Sequence, residues 1–309
     1  MKKSVLIKLT FSIIILSAII SSCKKEEDNT PPTISFELIS GTNNDGDTIS
    51  IGDALHFRIS TNAGDANITN FTVKKVTENE TKTVLDSGLN SIGFVVDETY
   101  YQGVEDTVDW TFSIMDRNRM QSSIKMKIYK DPNSQFGGII EFPEIKLSYQ
   151  LNTEIGHFFL PLSNKIYLED SASLFQEEVD ILVYFNYKED NGELKPSPTL
   201  SSPGEDVNFK GDLYNEYYPF LKNWDIRNYT KYDIRAENGV TADKYDSAHN
   251  DSLIIVSYGD VWAKKKYKWV CDGTIIPFQT TSGKKGLINV LHADTIETGC
   301  ITFSIKMQQ

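Results

Sequence analysis

The chain has 309 residues, 39% of them hydrophobic and 24% charged, a balance that excludes a disordered or collagen-like protein. At about 150 residues per domain, this length implies two domains. Acidic residues outnumber basic ones by 43 to 31, giving a net charge of -12, so nothing supplies the electrostatic attraction that a nucleic-acid backbone requires. Four His and three Cys are too few for a metal-rich or disulfide-built protein.

The chain opens with basic Lys2, Lys3 and Lys8, followed by a mostly apolar stretch from Leu9 to Ile20. That stretch is short for a bilayer span and suits the apolar region of a signal peptide. It ends in Ile20-Ser21-Ser22-Cys23, which resembles a bacterial lipobox. The resemblance implies a signal peptide over 1–22 and acyl chains on Cys23, anchoring the protein in a membrane. Several chains on one residue overcome the marginal binding of a single chain. Residues 23–32 read as a polar tether, Lys24-Lys25-Glu26-Glu27-Asp28 and then Pro31-Pro32. Lys followed by acids just after the Cys is similar to the export signal of Bacteroidetes surface lipoproteins. It implies an outer-membrane, surface-exposed location.

Residues 33–131 alternate short apolar–polar runs with turn clusters. The runs at 33–39, 55–59, 71–76, 108–114 and 124–128 each place one side-chain set on a buried face. Gly41 to Asp47 is a turn rich in Asn, Asp and Gly. About seven strands in about 100 residues predict an immunoglobulin-like sandwich. The Trp110-Thr111-Phe112-Ser113-Ile114-Met115-Asp116 run resembles the N-terminal immunoglobulin-like modules of Bacteroidetes surface lipoproteins. Asp131 to Gly138, with Pro132 and paired Gly, marks a boundary.

Residues 139–309 predict a β-sandwich-like domain with short helical insertions, so the whole fold class is mainly β. Val179 to Phe185 is nearly continuous apolar sequence, as expected of a central strand covered on both faces. Ser173 to Gln176 fits a capping box. Leu213, Tyr217, Phe220, Leu221 and Trp224 form an amphipathic stripe that Pro219 interrupts, predicting a broken helix. Thr241 opens a short helix to His249, and Leu253 to Val256 reads as a strand. Four more strands are expected at 266–270, 274–282, 286–291 and 299–307, with a turn at Gly283-Lys284-Lys285-Gly286. Val179 to Phe185, Trp224 to Thr230, Gly283 to Ile288 and Ile305 to Gln308 resemble the C-terminal domain of uncharacterised Bacteroidetes lipoproteins. That resemblance implies no activity.

Candidate chemistry is sparse. Asn43, Asp45 and Asp47 alternate oxygen ligands, but Thr48 and Ala54 stand where a calcium loop needs Gly and Glu; a turn explains them better. His56, His157, His249 and His292 lack metal-site spacing. Asp246, His249 and Asp251 have no GxSxG partner, and Gly283-Lys284-Lys285 is not a phosphate loop. Glu177-Glu178 and Glu189-Asp190 read as solvated charges. No cofactor is expected. Triplets such as Asp47-Thr48-Ile49 and Asp251-Ser252-Leu253 resemble the O-glycosylation acceptor of Bacteroidetes exported proteins. After lipidation Cys271 and Cys300 are the two remaining thiols, and export favours a disulfide between them.

Tyr214, Tyr217, Tyr218, Trp224 and Tyr229 lie within a short stretch. Such rings either pack a core or form a platform for sugar rings or protein partners. The expected function is therefore a non-catalytic surface lipoprotein that binds a glycan or a protein, as an adhesin or as an accessory to nutrient uptake. The alternative is a glycan-active hydrolase whose site is assembled from remote residues.

Overall fold

The computed structural model describes residues 29–309; the expected signal peptide and the expected lipidation at Cys23 lie outside the described residues. The protein is mainly β and divides into two compact units. One runs up to Asp45 and adds His56–Glu98 and Val108–Lys127; the other comprises Gly46–Leu55, Thr99–Thr107 and Ile128–Gln309. The second unit thus includes two short segments from the part of the chain that precedes the expected boundary.

Eight strands fill the chain before that boundary. They are β1 (Thr33–Phe36), β2 (Thr48–Ile49), β3 (Ala54–Asn62), β4 (Ile68–Val76), β5 (Thr81–Ser91), β6 (Gly93–Tyr101), β7 (Thr107–Asp116) and β8 (Gln121–Lys130). One sheet has the order β1-β3-β6 and the other β2-β8-β7-β4-β5. In the first unit the period of two in β7 turns Trp110, Phe112 and Ile114 inward. Phe112 meets Phe57 at 5.1 Å and the edge of Phe36 at 5.4 Å, joining the two sheets into a sandwich. Strands β5 and β6 escaped the sequence reading; neither buries a side chain fully, so neither carries the strong apolar alternation of a core strand.

Ten further strands of the second unit follow the boundary. They are β9 (Ile139–Ser148), β10 (Phe158–Leu160), β11 (Lys165–Tyr167), β12 (Ile181–Asp190), β13 (Glu193–Ser201), β14 (Lys231–Asp233), β15 (Ala263–Lys264), β16 (Ile275–Gln279), β17 (Lys285–Ala293) and β18 (Cys300–Gln308). A four-stranded sheet, β11-β10-β12-β13, packs on a six-stranded sheet, β15-β14-β16-β17-β18-β9. Ile181, Val183 and Phe185 point into the core between them, against residues such as Phe142, Phe303 and Ile305. Leu182 and Tyr184 point the other way, onto Leu213, Tyr218, Leu221 and Trp224. Both faces of β12 are covered, which is why its sequence is apolar without interruption. A smaller cluster of Tyr245 and Ile254 covers Ile275 and Leu287 of the six-stranded sheet. Each fully buried large apolar side chain contributes about 1.5–3 kcal/mol.

Two glycines are fixed by geometry. Gly283 turns the chain between β16 and β17 at φ 88°, a left-handed conformation that suits glycine. A Cβ on Gly286 would stand 2.5 Å from the Phe278 ring across the ladder.

Several local expectations are corrected. Ser252–Ser257 is a helix, not a strand: Ile254 and Ser257, three residues apart, face inward while Val256 is exposed. Residues 266–270 make one bridge, Leu200 to Tyr267, and Trp269, left-handed at φ 56°, departs from the extended backbone that a regular strand needs. Helix begins at Glu169, ahead of Ser173, and no side-chain cap forms. The Thr241 hydroxyl does cap its helix by accepting from Lys244 N, but that helix ends at Asp246. The interrupted stripe folds as a π turn, Leu213–Tyr217, followed by a 3-10 turn, Pro219–Asn223, with the break at Tyr218.

Candidate ligand-binding cleft

The structure separates the five candidate aromatics. Tyr214, Tyr218 and Trp224 are core residues, a correction to the expected platform. A buried phenol needs a hydrogen-bond partner, and each of these tyrosines has one. Tyr218 donates to Val183 O at 2.8 Å, and Tyr214 donates to Pro203 O at 2.8 Å while accepting from Asp206 N at 2.9 Å. Burial pushes both phenols up, Tyr214 to about 12. Trp224 packs on Phe158 at 5.8 Å. Their faces are therefore closed to a ligand.

Tyr217 reaches a cleft. Its ring stacks on Tyr184 at 5.1 Å, and the π turn sets it beside the edge of β12. That edge is open because β10 pairs only with Ile181 and Leu182. Side chains take over where β10 stops. Tyr218 bonds Val183 O; Gln150 receives Phe185 N–H at 2.8 Å and donates to Phe185 O at 2.7 Å. By the alternation of a strand, the N–H and C=O of Tyr187 face the same edge.

Past Phe185, the residues Asn186, Tyr187 and Lys188 line a cleft of ≈ 430 Å³ with Asp212, Glu216, Tyr217 and Glu297. Asn186 is 9% exposed and engages the Tyr217 phenol through its side chain, yet its Oδ1 has no partner. A shielded acceptor left unpaired costs about 1–3 kcal/mol, a cost that a donor in the cleft would remove once the amide turned its oxygen toward it. Tyr187 is 48% exposed and offers a ring at the rim. Lys188 pairs with Asp212 at 2.9 Å; among the described residues no cation bridges Glu216 or Glu297. Burial raises the Tyr217 phenol, and Asp212, Glu216 and Glu297 raise it further against the Asn186 hydrogen bond.

Tyr229 lines a second cleft of ≈ 490 Å³ with Asp206, Val207, Asp225, Arg227 and Lys265. Arg227 lies over Phe209 at 4.7 Å and donates to Leu221 O at 3.2 Å and to Trp224 O, so it braces the loop. Beside this cleft, Glu205 is buried and fully engaged. It accepts from Ser201 Oγ at 2.7 Å and from Tyr184 at 3.3 Å, and pairs with Lys266. The charges lining this second cleft balance and its lining has no orphaned polar atom, so the Asn186 cleft is the stronger candidate.

The expected Cys271–Cys300 disulfide is also corrected, because both thiols are free. Cys271 is exposed in a turn, 3.2 Å from Thr274 Oγ1, whereas the buried Cys300 donates to Asp294 Oδ2 at 3.2 Å. Burial and Asp294 push the Cys300 thiol up. His157 is buried with Nδ1 2.9 Å from Ser148 O, and desolvation lowers it. Asp251 accepts from Gly137 N and Gln308 at 2.8 Å each, which gives it a structural role. Asn43 and Asp45 accept from the amides of His56 and Lys127 at 2.7 Å each. Among the described residues no set of three His, Cys, Asp or Glu could hold a metal ion, and no helix is long and apolar enough to cross a membrane.

Sequence reasoning found Tyr217 and Tyr229 but missed Gln150, Asn186, Glu216 and Glu297. Only one local signal marks the cleft: the apolar run of β12 turns polar at Asn186.

No protein-family model matches the chain, and no curated protein matches it in sequence. Among solved structures it is similar to a DUF4466 family protein from Parabacteroides merdae ATCC 43184. The identity is 12%, the TM-score 0.44, and the match covers 91% of this chain and 99% of that one. It also matches a structure described as the basis for the promiscuous specificity of carbohydrate-binding modules from the β-sandwich superfamily. There the identity is 11%, the TM-score 0.20, and coverage 92% and 93%.

Proposed function

We propose that this protein is a non-catalytic glycan-binding module, held at the outer membrane and exposed at the cell surface through a lipidated Cys23. In this reading the N-terminal immunoglobulin-like sandwich is a spacer, and the Asn186 cleft of the second unit receives the sugar. The observation that carries the reading is the unpartnered Asn186 Oδ1 in a cleft rimmed by Tyr187. Sugars present hydroxyl donors and flat apolar ring faces together, the two things such a lining accepts. The sequence supplies no HExxH, GxSxG or phosphate-loop arrangement that would add chemistry to binding.

Titration calorimetry of the protein with neutral and charged oligosaccharides tests this function. Binding that Asn186→Leu weakens about tenfold is the expected outcome; release of new reducing ends from the same sugars would assign a hydrolase instead. The anchor is tested separately. Cys23→Ala should abolish palmitate labelling and move the protein out of the membrane fraction.

A further inference from the structure

The Asn186 cleft carries more negative charge than its own side chains neutralise. Asp212, Glu216 and Glu297 line it with a single cation, Lys188, and that ammonium is held by Asp212 at 2.9 Å. Glu216 and Glu297 are exposed and come from two separate segments, the π turn and the loop before β18. The orphaned Oδ1 of Asn186 adds a third acceptor, shielded from water. Gln150, which also lines the cleft, has its amide oxygen and one of its two N–H groups on Phe185, which leaves a single N–H and no charge to set against the carboxylates. The lining is thus rich in acceptors, and its three carboxylates outnumber its one, already paired, cation.

A neutral sugar satisfies such a lining only through hydroxyls, each of which must also find a donor for its own lone pairs. A protonated amine has three donors, no acceptor and a positive charge, so it meets both the geometry and the field. Charge-assisted hydrogen bonds are about twice as strong as neutral ones. We propose, building on the glycan-binding reading, that the cleft selects sugars bearing a free, protonated amine over neutral or N-acetylated ones. The ammonium sits between Glu216 and Glu297 and the ring lies along Tyr187, while the Asn186 amide turns its shielded Oδ1 toward a neighbouring hydroxyl.

The test is calorimetric titration of the full chain with four probes. They are β-1,4-linked glucosamine oligomers, their N-acetylated counterparts, glucose oligomers of the same linkage, and spermidine. Glucosamine oligomers should bind about tenfold more tightly than either neutral series, with the difference shrinking in high salt. The double variant Glu216→Gln, Glu297→Gln should erase that preference and leave the neutral series unchanged. Both residues are exposed, so the fold survives the substitution.

Equal affinity for amino and neutral oligomers would overturn the amine preference while leaving glycan binding in place. Failure of every oligomer to bind would overturn the glycan reading with it. Spermidine binding as tightly as the amino sugars would show attraction of any polycation by an acidic protein, and would overturn selection of a sugar. A preference that persists in the double variant would place the amine elsewhere and overturn the assignment.

Discussion

Two layers cover the sheets of the second unit, and they are built differently. The 205–224 segment lays Leu213, Tyr214, Tyr218, Leu221 and Trp224 on the four-stranded sheet, all buried, with phenols anchored to backbone carbonyls. The 240–257 segment covers the six-stranded sheet with Tyr245 and Ile254 and leaves Val256 75% exposed. The thick layer ends at the edge of β12, and the cleft begins there. An aromatic-rich segment therefore marks a thickly covered sheet, and the candidate cleft lies at its margin.

Substitutions can break or sharpen this contrast. Tyr218→Ala removes a fully buried ring and strands Val183 O, and should cost about 4–5 kcal/mol in urea unfolding. Tyr245→Ala, in the thin layer, should cost about 3 kcal/mol; an equal loss at the two sites would erase the distinction between layers.

The third prediction is a pH dependence on the thick-layer side of β12. Burial pushes Asp180 up to about 6 from 3.8, against a hydrogen bond from Asn228. The folded state then holds this proton more tightly than the unfolded chain. The contribution to stability is complete below about pH 4 and is lost as pH rises through about 6. Asp180→Asn should flatten this slope and leave the protein about 2–3 kcal/mol more stable at pH 7, read from urea midpoints across pH. Smallest of all, Val256→Ser on the exposed face should change stability by no more than about 0.5 kcal/mol.

The contrast also explains what the sequence disclosed. The apolar run of β12 was legible because covering on both faces demands it, and Thr241 was legible as a cap because its hydroxyl acts locally. Leu253 to Val256 was misread because four consecutive apolar residues fit a strand and one helical turn equally. The left-handed Trp269 gave no warning, since nothing in its residue type favours that conformation. At the cleft, Tyr217 announced itself as an aromatic. Asn186, Glu216 and Glu297 are ordinary polar residues in three distant segments, and only the sheet order and the π turn bring them together.

Gln150 has a consequence beyond the cleft. Exposed strand edges invite other chains to pair with them, and the usual outcome is aggregation. A strand from a neighbouring molecule approaching β12 beyond β10 would need the Phe185 N–H and C=O, and one glutamine amide already holds both. A single side chain thus closes the place where sheet growth between copies would start. It leaves the rest of the edge free to face solvent.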